Sequence, residues 1–232
     1  MLLDAVSPSL SGLRIGQDGQ YALIRPELGA QVTQFESQTP SRRRVWWAAD
    51  AHESVRPLLP FLSTCPPRWD VARRSRDQVE LSCVHRDPSG VVQWIAAYLI
   101  TADERGLHLA VALENVSPAV LSARTGFEFH LPAPIGSALT VPPGTLGGGD
   151  ERPSGDSPFG WPRRSMLSYS GGDQLEMRAQ SPLARTAVRR VSDQVVLQLL
   201  APSTLAAGAT LRLECRVRAS LSEEPPEPAT SL

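Results

Sequence analysis

The sequence predicts an all-β protein, a mostly antiparallel sandwich, and three observations lead to that fold class. Short runs rich in β-branched and aromatic residues follow one another closely, with Gly, Pro, Asp and Asn turn signals between them. No segment sustains the apolar repeat of an amphipathic helix. Residues 211–218, LRLECRVR, alternate apolar and polar side chains almost perfectly, which is typical of a half-buried antiparallel strand.

The first part of the chain supplies four of these strands, expected at residues 13–15, 21–25, 31–37 and 45–47. The first two form a hairpin, because Asp18 and Gly19 between them have the turn chemistry of a tight connection. Residues 50–70 differ, since prolines occur at positions 57, 60, 66 and 67. Proline cannot donate to a strand ladder, so we expect neither a helix nor a central strand in this segment.

The middle of the chain has the most continuous strand pattern. Residues 94–101 and 106–114 are joined by a polar turn, and a third run ends at residues 126–130, where aromatic and ionisable side chains alternate. Further strands are expected at residues 70–72, 78–85, 138–141, 167–169, 174–178, 186–191, 195–200 and 210–219. We predict one sandwich domain over residues 1–221 and a disordered tail over residues 222–232, which is polar and rich in proline.

Composition narrows the classes of function. The formal net charge of −1 gives no reason to expect nucleic acid or an anionic membrane as a partner. All 23 basic residues are arginine, which excludes a lysine Schiff base. The cysteines at positions 65, 83 and 215 are widely spaced, a pattern typical of reduced thiols. Because no signal peptide or membrane-spanning run is found, we expect a cytoplasmic protein.

No cofactor is expected from the sequence. His, Cys and carboxylate residues nowhere have the spacing of metal ligands. No glycine-rich loop stands between a strand and a helix, where it would cradle a phosphate. The sequence therefore predicts neither a bound metal nor an organic cofactor.

Three motifs, in this order, resemble the galactose mutarotase-like (aldose 1-epimerase) superfamily. Residues 21–32, YALIRPELGAQV, resemble the opening strands around a Gly-Ala turn, and VWW at 45–47 follows them. Residues 56–61, RPLLPF, resemble the segment that brings a loop to the sugar cleft. Residues 108–131, HLAVALENVSPAVLSARTGFEFHL, resemble a strand, an Asn-x-Ser turn and a strand with a glycine, aromatic residues and a histidine.

The resemblance implies a galactose mutarotase-like β-supersandwich whose concave face binds a hexose or a hexose derivative. In active members a histidine protonates the ring oxygen and a glutamate takes the proton of the anomeric hydroxyl, so the ring opens and recloses. The candidates for these catalytic roles are His130 and Glu128. The candidates for binding the sugar are Arg56, with its hydrogen-bond donors, and Trp69 and Trp161, whose rings lie in Pro-rich segments and could stack on a pyranose.

The chain also departs from the family pattern. Aligning Gly126 and Phe127 on the family's glycine-aromatic pair puts Glu128 at the histidine position, with His130 two residues on and on the same strand face. Where the family's C-terminal glutamate is expected, this chain has Gln198. Each candidate also has a purely structural interpretation. His130 can be a hydrogen-bonded histidine at a strand end, and Glu128 the polar side of an alternating strand. Arg56 can be a surface arginine, and the two tryptophans can be core or loop anchors.

Three functions therefore stay open. The first is a carbohydrate-binding protein whose epimerase activity is altered or lost. The second is an active aldose 1-epimerase or sugar-phosphate epimerase. The third is a non-catalytic sandwich used for protein interaction, and the exposed edges of a sandwich also allow a homodimer.

Overall fold

A computed structural model shows a chain built almost entirely from β-strands. It describes residues 12–48, 54–60, 67–122, 125–134, 137–141, 144–146, 164–180, 185–191, 193–201 and 204–222. Within these residues the helical structure is the single 3-10 turn Pro26–Leu28.

The strands are numbered in chain order. Those of the first half are β1 (Leu13–Gln17), β2 (Gln20–Arg25), β3 (Gln31–Gln38), β4 (Arg43–Trp47), β5 (Ser54–Leu58), β6 (Asp70–Arg74), β7 (Gln78–Arg86), β8 (Val92–Asp103) and β9 (Gly106–Asn115). Those of the second half are β10 (Leu121–Ser122), β11 (Gly126–Pro132), β12 (Ala138–Val141), β13 (Gly144–Leu146), β14 (Arg164–Ser168), β15 (Gln174–Ala179), β16 (Arg185–Val191), β17 (Gln194–Leu200), β18 (Thr204–Leu205) and β19 (Thr210–Ser220).

Two large sheets contain nearly all of these strands. The eight-stranded sheet has the order β1-β2-β3-β5-β11-β17-β16, with β4 also paired to β3. The nine-stranded sheet has the order β13-β12-β14-β15-β19-β9-β8-β7-β6, and β10 pairs with β18 in a separate ribbon. The described pairings are antiparallel throughout, which confirms the predicted all-β, antiparallel fold class.

Alternating side chains build the core between the sheets. Along β11 the rings of Phe127 and Phe129 are buried in it, so Glu128 and His130 lie on the other face of the sheet. The nine-stranded sheet contributes Trp94 and Tyr98 from β8. Other large side chains that are fully buried are Phe35, Trp46, Trp47, Ile15, Ile24, Leu81, Ile100 and Leu107. Burial of this apolar surface, aromatic and aliphatic together, is the main stabilising contribution of the core.

The predicted hairpin between β1 and β2 is confirmed. Gln17 pairs with Gln20, and the two residues between them, Asp18 and Gly19, have φ of 52° and 82°. Positive φ at both central residues is what a two-residue turn of this kind needs, and Asp-Gly is among the sequences that supply it.

The expectation that residues 50–70 hold no central strand is wrong. β5 contains Pro57, yet it lies between β3 and β11 in the eight-stranded sheet. The register explains why the proline is tolerated. Val55 pairs with Val32 of β3, so Pro57 would face position 30, which precedes β3 and has a φ of 60°. No strand backbone stands there to need the missing N–H.

A buried asparagine fastens the end of β9 to the segment around β18. The side chain of Asn115 is fully buried and its Nδ2 donates to the backbone oxygens of Ala119, Leu205 and Ala206, at 2.8, 3.0 and 3.1 Å. Its Oδ1 accepts from the N–H and the hydroxyl of Ser117. The Asn-x-Ser turn of the sequence is therefore a hydrogen-bonded anchor inside the fold.

A second anchor joins the two sheets through Asp173. This carboxylate, in the turn between β14 and β15, accepts hydrogen bonds from Arg42 at 2.8 and 2.9 Å and from Arg44 of β4. It also accepts the backbone N–H of Ser222 at 2.9 Å, so the first residue of the predicted tail is held against the sandwich. Residues 223–232 lie outside the described residues, and the disordered tail and the single domain stay predictions.

Candidate functional site

Three neighbouring strands of the eight-stranded sheet bring polar side chains together. Glu128 on β11 is in register with Arg56 on β5 and with Gln198 on β17. His130 lies two residues from Glu128 on the same strand and therefore on the same face. These four residues, Arg56, Glu128, His130 and Gln198, are called the Glu128 cluster below.

The carboxylate of Glu128 is the centre of this cluster. Its Oε1 accepts hydrogen bonds from Nε and Nη2 of Arg56, at 2.9 and 2.6 Å, and lies 2.9 Å from Nε2 of His130. Its Oε2 accepts from Nε2 of Gln198 at 2.6 Å. Both oxygens are thus engaged by charged or polar donors, an arrangement that strongly favours the ionised form.

Exposure differs sharply within the cluster. The side chain of Glu128 is only 9% exposed, whereas those of Arg56 and His130 are 39% and 28% exposed. The carboxylate is therefore enclosed by its partners, and the partners are what a ligand on this face would meet. Sequence reasoning identified Arg56, Glu128 and His130, and the structure brings these three together.

The hydrogen bonds hold the pKa of Glu128 well below its usual range. The bond from His130 is the largest influence; burial acts in the opposite direction, and Gln198 and Arg56 lower the pKa further, to about 2. At neutral pH the carboxylate is therefore ionised and can only accept hydrogen bonds. It follows that Nε2 of His130 carries a hydrogen atom and donates a hydrogen bond to Oε1.

The lowered pKa of Glu128 predicts a loss of stability in acid. Because the folded-state pKa lies below the unfolded value, the contribution is complete above about pH 5 and disappears as the pH falls towards 2. We expect the free energy of unfolding to fall by about 2 kcal/mol across that window, reduced from the full linkage value because Arg56 is partly exposed to solvent. Urea unfolding at a series of pH values measures it.

A control is needed because Asp173 also has a lowered pKa, since hydrogen bonds from Ser222 and Arg44 outweigh its burial. The pKa of Asp87 is lowered too, chiefly by the hydrogen bond that it accepts from the side chain of Ser89. The variant Glu128→Gln removes one of these three titrating groups. Its free energy of unfolding should change with pH over the same window by about 2 kcal/mol less than that of the wild type. An unchanged pH dependence in Glu128→Gln would assign the whole effect to Asp173 and other carboxylates.

Of the two predicted tryptophans the structure describes one, Trp69, and this residue is not part of the cluster. Trp69 is only 5% exposed, and its ring lies in the core, 6.0 Å from the ring of Tyr98. Tyr98 in turn packs against Phe127, on the opposite side of β11 from Glu128. A ring in this place has no free face to stack on a sugar. Trp161 lies outside the described residues, so its role stays a prediction.

Gln198 is the cluster member that sequence reasoning noted only as the residue standing where a glutamate was expected. The alternation of β17 was a usable signal, because it puts Gln198 on the face opposite the buried Leu197 and Leu199.

Gly126 has a supporting role that the sequence did not show. A Cβ at this position would overlap the carbonyl oxygen of Leu199, so only glycine lets β17 approach β11 so closely.

Metal binding and thiol chemistry have little support in the described residues. Among them, no group of three or more His, Cys, Asp and Glu side chains is placed to hold a metal ion. Cys83 and Cys215 are free and buried, and burial raises the pKa of Cys83 to about 11 and that of Cys215 further. Such thiols are poor nucleophiles. No helix in the described part of the chain is long and apolar enough to cross a membrane.

Comparison with known proteins agrees with the architecture. No protein-family model and no curated protein sequence matches the chain. Solved structures do: a provisionally assigned aldose 1-epimerase from Escherichia coli K12 superposes with a TM-score of 0.69 at 13% identity, over 91% of this chain and 99% of that one.

Two further structures point the same way. A galactose mutarotase-like protein from Lactobacillus casei ATCC 334 has a TM-score of 0.68 at 13% identity, over 90% of this chain and all of that one. A galactose mutarotase related enzyme from Lactobacillus acidophilus has a TM-score of 0.66 at 9% identity, over 92% and 99% of the two chains. Identities this low establish shared architecture and nothing finer. The chain has the galactose mutarotase-like β-sandwich fold.

Proposed function

We propose that the protein binds a hexose or a hexose derivative at the Glu128 cluster and that its epimerase activity is altered or lost. The observation that carries the proposal is the carboxylate of Glu128, which is enclosed and hydrogen-bonded to Arg56, His130 and Gln198. A carboxylate held in this way orders the donors around it. It is poorly suited to accept a proton from a substrate.

The outward side of the cluster is suited to hydroxyl groups. Nδ1 of His130 and the amide oxygen of Gln198 form no hydrogen bond within the described part of the chain, and Arg56 is partly exposed. Together they offer a planar donor, an acceptor and an imidazole nitrogen within one patch. A small set of fixed polar groups is what orients a polar ligand in a binding site. The mutarotase-like proteins that share this fold support a hexose as that ligand.

The same geometry argues against efficient epimerase chemistry. A general base works best with a pKa near the working pH, whereas the pKa of Glu128 is about 2. The proton on Nε2 of His130 is committed to that carboxylate. Transferring it to a sugar oxygen would leave Glu128 without the hydrogen bond that lowers its pKa most. The two residues therefore stabilise each other's positions more than they prepare a proton transfer.

One observation favours the alternative of an active epimerase. His130 and Glu128 lie 2.9 Å apart, within reach of the same small ligand, and a ligand that displaced Arg56 would raise the pKa of the carboxylate. The third function, a sandwich used only for protein interaction, requires that no sugar binds at all. Two experiments separate these functions.

Saturation-transfer NMR tests binding, using a panel of hexoses and hexose phosphates. We expect at least one sugar to give a signal with the wild type and a loss of about tenfold in affinity with Arg56→Met, because the guanidinium is a charged donor that is more exposed than the imidazole of His130. Arg212→Gln, an exposed arginine on β19 of the other sheet, is the matched control and should keep wild-type affinity. If no sugar binds the wild type, both carbohydrate functions are excluded.

Polarimetry tests catalysis on a sugar that binds. We expect mutarotation at the rate of buffer alone, equal for the wild type and His130→Ala. A rate well above that of buffer that falls with His130→Ala would establish an active epimerase with His130 in the reaction. A fast rate that His130→Ala leaves unchanged would place the catalytic acid elsewhere.

The cellular compartment and the assembly also belong to this proposal. We propose that the protein works in the cytoplasm, which the two reduced, buried thiols of Cys83 and Cys215 support. A homodimer stays a prediction. The strand β6, an edge of the nine-stranded sheet whose residues are all exposed, supports it as a surface for pairing.

A further inference from the structure

A basic depression lies on the nine-stranded sheet, on the face turned away from the core. It has a volume of about 440 Å³, and its charged lining consists of Glu104, Arg105, Glu176, Arg178, Arg216 and Arg218. Four arginines and two glutamates leave a formal charge of +2 in a chain whose net charge is −1. The depression shares no residue with the Glu128 cluster.

Strand register places like charges directly opposite one another here. Arg178 on β15 pairs with Arg216 on β19, so two guanidinium groups face each other across the strands. Directly opposed like charges destabilise an antiparallel sheet. Glu176 relieves part of this repulsion, because it lies 3.0 Å from both Arg164 and Arg178.

Arg216 and Arg218 receive less compensation, although Arg218 lies opposite Glu176 in the strand register. Among the residues that the structure describes, neither forms an ion pair with a carboxylate. Glu214, two positions before Arg216 on the same strand face, contacts His108 at 3.4 Å instead. The strand thus presents two guanidinium groups without an ion pair, and Glu176, the carboxylate opposite Arg218, already contacts Arg164 and Arg178.

We propose that this depression binds a small oxyanion with two linked charged groups, of the diphosphate class. A guanidinium offers parallel N–H donors that match a phosphate, and Arg216 and Arg218 are two strand positions apart, roughly 7 Å along β19. That spacing fits two linked phosphate groups better than one. The bound anion would supply the counter-charge that the lining lacks. The proposal is independent of hexose binding, which uses the other sheet.

Isothermal titration calorimetry with pyrophosphate and with inorganic phosphate tests the site. We expect the wild type to bind pyrophosphate about tenfold more tightly than phosphate, with affinity that falls as salt is added. The double variant Arg216→Gln/Arg218→Gln should lose at least tenfold in pyrophosphate affinity. Arg212→Gln is the matched control, since it removes an exposed arginine of the same strand outside the depression, and it should bind within twofold of the wild type.

A second measurement locates the anion without any variant. In NMR spectra of the wild type that resolve the arginine Nε–H groups, pyrophosphate should shift the signals of Arg216 and Arg218. The signal of Arg212 should stay in place. Absence of binding, or an equal loss of affinity with Arg212→Gln, would overturn the proposal, as would equal shifts of all exposed arginines. Because hexose binding is measured separately, either result leaves the function of the Glu128 cluster untouched.

Discussion

Replacing Gly126 with alanine should destabilise the protein by about 4 kcal/mol, more than any other change considered for the candidate site. The added Cβ would overlap the carbonyl oxygen of Leu199, which is backbone and cannot rotate away. β11 and β17 would have to separate, and the hydrogen bond between Glu128 and Gln198 would lengthen with them. Urea unfolding of Gly126→Ala, followed by circular dichroism, measures the loss.

Gly90→Ala is the control for this change. Gly90 has a φ of 88°, so alanine there is strained, but no atom lies within 4 Å of the added Cβ. We expect that variant to lose about 1 kcal/mol, the usual cost of a left-handed residue that is not glycine. If Gly126→Ala proved no worse than Gly90→Ala, the close approach of β11 and β17 would not constrain position 126.

Gln198→Glu should destabilise the protein by about 3 kcal/mol at pH 7.5, with most of the loss recovered at pH 5. The change removes the donor to Oε2 of Glu128, 2.6 Å away, and sets a second carboxylate beside the first. Two carboxylates this close bind a proton more tightly than either does alone, so the pKa of the pair rises above the unfolded value. The contribution of this carboxylate pair to stability is then present at low pH and is lost as the pH rises through the raised pKa.

Gln198→Met separates the added charge from the lost hydrogen bond. Methionine removes the same donor without adding a carboxylate, so its effect should be about 1 kcal/mol and nearly equal at pH 5 and pH 7.5. Unfolding in urea at both pH values compares the two variants. A pH dependence of Gln198→Met that equalled that of Gln198→Glu would show that charge repulsion at Glu128 is not the cause.

Much of the fold could be predicted because strand periodicity is a local property. The alternation along β19 and the Asp18-Gly19 turn are both read from neighbouring residues, and both are confirmed. β5 could not be predicted in the same way. Whether Pro57 is tolerated depends on the register between β5 and β3 and on the residue at which β3 begins. The residues around Pro57 contain no information about either. The short strands β10 and β18 have only two residues each, too few for any alternation to show.

The candidate site was predictable within one strand and not across strands. Alternation along β11 puts Glu128 and His130 on one face, as expected. Their contacts with Arg56 and Gln198 depend on pairing between segments 70 or more positions apart. The prediction that Trp69 stacks on a sugar was wrong for a different reason. A Pro-rich neighbourhood indicates irregular backbone, which is a different property from exposure, and the ring packs in the core against Tyr98.

The buried Asn115 has a consequence for producing the protein. Asn115-Val116-Ser117 has the sequence of an N-linked glycosylation acceptor, and such acceptors normally occupy surface loops. Here the acceptor nitrogen, Nδ2, donates to three backbone carbonyls in the interior. A glycan attached in a eukaryotic secretory pathway before folding would remove those bonds and leave no room for the chain to close around the side chain. Expression in a compartment without oligosaccharyl transfer avoids that competition.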